Sequence, residues 1–149
     1  MTNQIILVDD EESIRDSCPD FIEHFVPGTS VVSFASGYDL FKALAVDEPY
    51  LHSAKAICLD GYLNNERGQD IARELRNEYG YKGEIILIGA LGTLKLPDGP
   101  IAGVKSYILG KENKITEFTS EEISHFDHIA SKPAYAGLTD ILANACKKQ

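Results

Sequence analysis

The chain has 149 residues, enough for one domain (1–149) with its own core and too few for two comfortable ones. It is 44% hydrophobic and 25% charged, ordinary for a soluble globular protein, and its 23 acids against 14 Lys and Arg leave a formal charge of −9. That balance argues against direct binding to a nucleic-acid backbone, which needs a basic face. The cysteines Cys18, Cys58 and Cys146 are odd in number and form no CxxC pair, so they support neither a disulfide framework nor a zinc site. A polar start followed early by Asp9 does not suit a signal peptide, and no apolar run is long enough to span a bilayer. The expectation is a cytoplasmic protein with no membrane partner.

Taken in order, residues 4–8 read as a short buried strand stopped by Asp9-Asp10-Glu11-Glu12. Ile14, Cys18, Phe21, Ile22 and Phe25 then form a helical stripe, with Pro19 inside it predicting a kink or break. Val31-Val32-Ser33-Phe34 reads as a second strand, and Ser36 is placed to cap a helix whose core face is Leu40, Phe41 and Leu44. The third strand, 55–60, ends abruptly in Asp60-Gly61. A polar loop follows, then a helix marked by Ile71, Leu75 and Tyr79 and closed by Gly80, then a fourth strand at 84–88. The pattern βαβαβαβ implies parallel strands with right-handed crossovers, and such a sheet binds ligands at the carboxyl ends of its strands. Asp9, Asp10, Asp60 and Gly89 all fall there.

The later part is less regular. A final helix is expected over 137–147. Between Gly89 and Lys132 the chain is longer than the roughly 20–25 residues that one helix, one strand and short loops require. The surplus, at about 91–125, reads as an insertion containing a loop, an extra strand and a short capped helix near 120–125 at Thr119-Ser120-Glu121-Glu122.

Carboxylates at neighbouring strand ends need a counter-charge to stay ionised together. Mg²⁺ supplies one, takes a few carboxylate oxygens and bridges readily to phosphate. A lysine aimed at the same crevice, Lys132, adds charge where a phosphoryl group would sit. The set Asp9, Asp10, Asp60 and Lys132 therefore suits phosphoryl transfer with a carboxylate as nucleophile, and Asp60, on the central strand with glycine behind it, is the preferred acceptor. Each acid alone reads more simply as a helix N-terminal charge, and their joint placement at strand ends is what favours chemistry. His125 and His128, three apart around Asp127, hint only weakly at metal.

These motifs, in this order, resemble a response-regulator receiver domain, of the flavodoxin-like fold that includes the chemotaxis receiver. Asp9-Asp10 resembles the acidic pair, Asp60 the phosphoacceptor, Leu63 and Gly68 the apolar residue and glycine after it, Ala35-Ser36-Gly37 the start of the second helix, and Lys132-Pro133 the lysine and its proline turn. The resemblance implies a doubly wound five-stranded parallel sheet in the order 2-1-3-4-5. It makes Asp10, Asp60 and the backbone carbonyl of Tyr62 ligands of Mg²⁺, places Asp9 in the metal's water shell, and pairs Lys132 with the phosphoryl group. The phosphodonor it implies is a histidine kinase or histidine phosphotransfer protein, and the output is a contact with a further protein.

Two positions depart from the pattern. The hydroxyl residue at the end of strand four is Gly89, followed by Ala90 as expected, and the switching aromatic three residues before the lysine is Ile129. Nucleophile, ligands and lysine are intact, but the usual hydroxyl-to-aromatic switch lacks both parts. Two rival readings stand beside the first: a pseudo-receiver that signals without phosphorylation, and a small Mg²⁺-dependent phosphatase with Asp9 as nucleophile and Glu11 two positions on, which would leave Asp60 without a role.

Overall fold

Apolar side chains that alternate along short β-branched runs need cover on both faces, and a doubly wound sheet provides it. The computed structural model describes residues 2–63, 65–89, 93–95, 106–107, 115–117, 119–131 and 135–148. The chain opens with strand β1 (Asn3–Val8), helix α1 (Glu12–Phe25), strand β2 (Thr29–Phe34) and helix α2 (Gly37–Val46). A short helix α3 (Pro49–Ser53) leads into the central strand β3 (Ala54–Asp60). Next come a small antiparallel hairpin of β4 (Tyr62–Leu63) and β5 (Glu66–Arg67), helix α4 (Gly68–Asn77) and strand β6 (Glu84–Gly89). Strands β7 (Thr93–Lys95) and β9 (Ile115–Glu117) pair with each other, and β8 (Ser106–Tyr107) lies between them in the chain. Helix α5 (Ser120–Ser124), strand β10 (His128–Ser131) and helix α6 (Tyr135–Lys147) complete the order.

The main sheet is parallel throughout, in the order β2-β1-β3-β6-β10-β8. Its first five strands are the expected 2-1-3-4-5 arrangement of the principal strands. The sixth, β8, comes from the inserted segment and pairs with β10 through Ser106 opposite His128 and Tyr107 opposite Ile129. Positions 96–105 and 108–114 of the insertion lie outside the described residues.

Alternation sorts the strand residues into two cores. Ile6, Val8, Ile57, Leu59, Ile85, Leu87 and Ile129 face α2, α3, α4 and α5. Ile5, Leu7, Ala56, Cys58, Ile86, Ile88 and Ala130 face α1 and α6, where Cys18, Ile22, Leu138 and Leu142 meet them. Helix α1 is not broken at Pro19: it runs through all 14 residues, because Cys18 and Ile22 on either side of the proline are anchored in that second core. Ser36 caps α2 as expected, accepting from the Asp39 N–H at 3.0 Å. Thr119 and Glu122 close a reciprocal capping box on α5. Among the described residues no helix is long and apolar enough to cross a membrane.

One cation ties the amino-terminal ends of the strands together. Arg76 pairs with Asp127 at 2.7 Å and donates to the carbonyls of Tyr81 and Gly83, both at 2.8 Å, and of His125 at 3.2 Å. Asp127 in turn accepts from the Ile85 N–H at 2.9 Å. Nearby, the buried Tyr81 hydroxyl donates to Ala54 O at 2.9 Å, and burial pushes its phenol well above the ordinary value. The ring lies so close over Gly83 that a β-carbon there would stand 2.1 Å from the hydroxyl.

Two stability predictions follow from these contacts. Arg76→Met strands the Asp127 carboxylate and three carbonyls, and is expected to cost about 3 kcal/mol, read as a lower urea midpoint at unchanged slope. Because the folded Tyr81 pKa is raised, its contribution is complete below the unfolded value of about 10 and is lost as pH rises above it. Tyr81→Phe should therefore cost about 1 kcal/mol at neutral pH yet flatten the fall in stability above pH ~10, measured by denaturant melts across that range.

Candidate phosphoacceptor site

The end of β1 is carried one residue beyond its strand by the Asp9 N–H, which donates to Phe34 O at 3.0 Å. Asp9 is fully buried, accepts from the Glu11 N–H at 2.9 Å on Oδ1, and has its carbonyl held by Arg15 Nη1 at 2.9 Å. The chain thus turns tightly from β1 into α1 and brings Glu11 back over the strand end. Asp60 closes β3 at 4% exposure, opposite Ile88, and the following Gly61 N–H donates to Ile88 O at 3.0 Å.

Carboxylate oxygens of Asp9, Glu11 and Asp60 all lie within 4.8 Å of one another. Like charges at that spacing repel by about 3 kcal/mol per pair at an effective dielectric near 20, so positive charge must hold them ionised together. Two buried carboxylates and one exposed one, converging on a single point, are the hard oxygen donors that suit Mg²⁺ with part of its water shell retained. The donor set fits that ion. Glu11 belongs to this group of carboxylates, and Asp10, half-buried, lies outside it. A carboxylate three residues past the strand end folds back through the tight turn at Asp9, which spacing alone does not reveal.

Tyr62, whose carbonyl is an expected ligand, lies in β4 two residues after Asp60, where it pairs with Arg67. Gly89 is the last residue of β6 and stands opposite Ser131 of β10. Ile129 is fully buried in the core among Leu87, Ile123 and Phe126, and so is a packing residue in this structure. Ala90, Lys132 and Pro133 lie outside the described residues. His125 and His128 do not share a site: the first meets Glu121 at 3.0 Å and the second faces Glu84 at 3.6 Å. Cys58, two residues before the acceptor, is fully buried, and burial raises its thiol well above the usual value, so it acts as a small core side chain.

The loop after the acceptor is tightly placed. A β-carbon on Gly68 would meet Asp60 O at 2.5 Å and Gly61 Cα at 3.1 Å, so only glycine lets α4 start against the Asp60 backbone. Glu66 receives the N–H groups of Gly37 and Tyr38 at 2.9 and 3.0 Å and thereby fixes the loop to the amino end of α2. Arg67 pairs with Glu122 of α5, and Arg73 pairs with Glu121 at 3.2 Å. Hydrogen bonds from His125 and Arg73 hold the exposed Glu121 carboxyl below its ordinary value. Glu66 and Arg67 carry no signal in the sequence because each acts on a residue distant in the chain.

Gly68→Ala should push the α4 start away from Asp60. The expected result is a cost of about 1–3 kcal/mol in folding and a roughly tenfold loss of Mg²⁺ affinity by titration calorimetry.

No family model matches the sequence, and no curated protein does. Solved structures do match. A response-regulator receiver domain (CheY-like) from Methylobacillus flagellatus aligns at TM-score 0.66 and 17% identity, covering 97% of this chain and 99% of that one. The response regulator TrrA from Thermotoga maritima, solved in complex with Mg²⁺–BeF, aligns at TM-score 0.65 and 15% identity with the same coverage. A signal receiver domain of a DNA-binding response regulator from Colwellia psychrerythraea aligns at TM-score 0.67 and 13% identity, covering 98% and 99%. The chain has the fold of the response-regulator receiver domains over nearly its whole length.

Proposed function

We propose that this chain is a receiver that accepts a phosphoryl group on Asp60 from a histidine kinase or histidine phosphotransfer protein, and that it signals through contact with another protein. The observation that carries the reading is the convergence of Asp9, Glu11 and Asp60 within 4.8 Å, with Asp60 at the end of the central strand and a glycine immediately after it. The likeness to TrrA, whose structure holds Mg²⁺–BeF, supports it.

In the transfer, one Asp60 oxygen attacks the phosphorus of a phosphohistidine. The O–P bond forms as the P–N bond breaks, and the imidazole leaves with its electron pair and takes up a proton. Mg²⁺, when bound, neutralises charge on the transferring oxygens. Asp9, Asp60 and Glu11 are the residues placed to hold it; the resemblance adds Asp10 and the Tyr62 carbonyl, and gives Lys132 to the phosphoryl group. Asp60 is oriented by the β3–β6 ladder, which fixes its backbone opposite Ile88. The protein is on this reading a signalling phosphoacceptor whose only catalysis is its own phosphorylation and dephosphorylation.

The second reading, a pseudo-receiver that works without phosphorylation, is favoured by Gly89 and by the buried Ile129, which together remove the usual reporting pair. Intact-mass measurement after incubation with Mg²⁺ and a small-molecule phosphodonor separates the two. A gain of one phosphoryl group, absent in Asp60→Asn, is expected. No gain, together with no release of phosphate from the donor, would overturn the receiver reading in favour of the second.

A further inference from the structure

With Gly89 and Ile129 at the usual reporting positions, the structure has to supply another element that senses charge on Asp60. Three facts single out Arg67. It is the only cationic side chain in sequence between Asp60 and Arg73. Its backbone is held beside the acceptor, since it pairs with Tyr62 two residues after Asp60 and precedes Gly68, which abuts the Asp60 carbonyl. Its guanidinium is paired with a side chain that cannot follow it: Arg67 is 54% exposed and able to swing, whereas Glu122 is 8% exposed and fixed by the capping box of α5.

We infer that Arg67 is a second phosphoryl-positioning residue of this receiver, in addition to Lys132, and that it leaves Glu122 for the phosphoryl group when Asp60 is modified. The inference rests on the receiver reading and deepens it. A phosphoryl group carries close to two negative charges and three acceptor oxygens, and a guanidinium bonds such a group in bidentate fashion better than it bonds a lone carboxylate. Release of Arg67 leaves Glu122 buried without its cation. Helix α5 has only five residues, too few to persist without its tertiary ties. Its remaining anchors are Ile123 in the core, Arg73 to Glu121 at the exposed surface, and Arg76 to the His125 carbonyl. Charge on Asp60 is thereby converted into displacement of α5, with no part for a hydroxyl on β6 or an aromatic on β10.

Competition for one arginine makes a signed prediction, because whatever Glu122 holds back from the phosphoryl site must be returned when Glu122 is neutralised. The probe is Mg²⁺ with beryllofluoride on the full chain, bound fluoride being read by ¹⁹F NMR and α5 by amide exchange at Ile123, His125 and Phe126. Glu122→Gln keeps the acceptor for the Thr119 N–H, which Glu122 Oε1 now provides at 3.1 Å, but removes the ion pair. It is expected to bind beryllofluoride several-fold more tightly, and to show fast α5 exchange before the probe is added. Arg67→Gln should bind about tenfold more weakly and Arg67→Lys in between, and in the wild type the probe should speed α5 exchange about tenfold. If both variants move the affinity in the same direction, or neither does, the pair is merely structural and the inference fails while the receiver reading stands. Absence of any bound fluoride in the wild type would overturn the receiver reading and this inference with it.

Discussion

Strand β3 is buried along its length, from Ala54 to Asp60, with only Lys55 reaching partly into solvent. It lies between β1 and β6, so every polar group at its carboxyl end is placed in a crevice walled by two other strand ends. That position is what obliges the rest of the site. A carboxylate at 4% exposure must be compensated, and the turn at Asp9 assembles further carboxylates around it that together make a cation the natural complement. The glycine at 68 is a consequence of the same crowding, since α4 has to begin against the backbone of Asp60 itself.

The two poles of the sheet have separate electrostatic duties. At the carboxyl pole, acids converge. At the amino pole, Arg76 gathers Asp127 and the backbone carbonyls between α4 and β10, and Lys148 and His128 both face the buried Glu84. This segregation lets a chain with a charge of −9 hold a cluster of carboxylates without placing the same repulsion beside its core. Between the poles, Arg67, Arg73 and Arg76 run along one side of β5 and α4 and meet acids or carbonyls of the segment 121–127. The short helix α5 is therefore held mostly by charges presented from α4, in addition to the apolar contact of Ile123. An element fixed in this way responds to changes in charge more readily than one fixed by packing alone.

The insertion changes the sheet edge as well. In a five-stranded arrangement β10 would present an open edge, and here β8 pairs with it in parallel. Covering that edge removes a row of unpaired backbone groups from solvent. It also places inserted chain next to Ile129, whose burial suits a packing role in place of a switching one.

The principal strands, their parallel order, the cap at Ser36, the short capped helix at 119–124 and the place of Asp60 at the end of the central strand were all legible in the chain. Each depends on local rules: alternation, apolar run length, capping chemistry and the rule that ligands gather at the carboxyl ends of parallel strands. Pro19 does not break α1, because its buried neighbours Cys18 and Ile22 outweigh one lost backbone hydrogen bond. Glu11's entry into the carboxylate group, the hold of Glu66 on α2 and the pairing of Arg67 with Glu122 carried no comparable signal. They join residues across a turn, across 28 or 29 positions and across 55 positions respectively. Charge complementarity between distant residues is degenerate in sequence, since any of 14 cations could serve any of 23 acids. Folding selects among them by the one thing that composition and spacing do not contain, the distance between side chains once the sheet has formed.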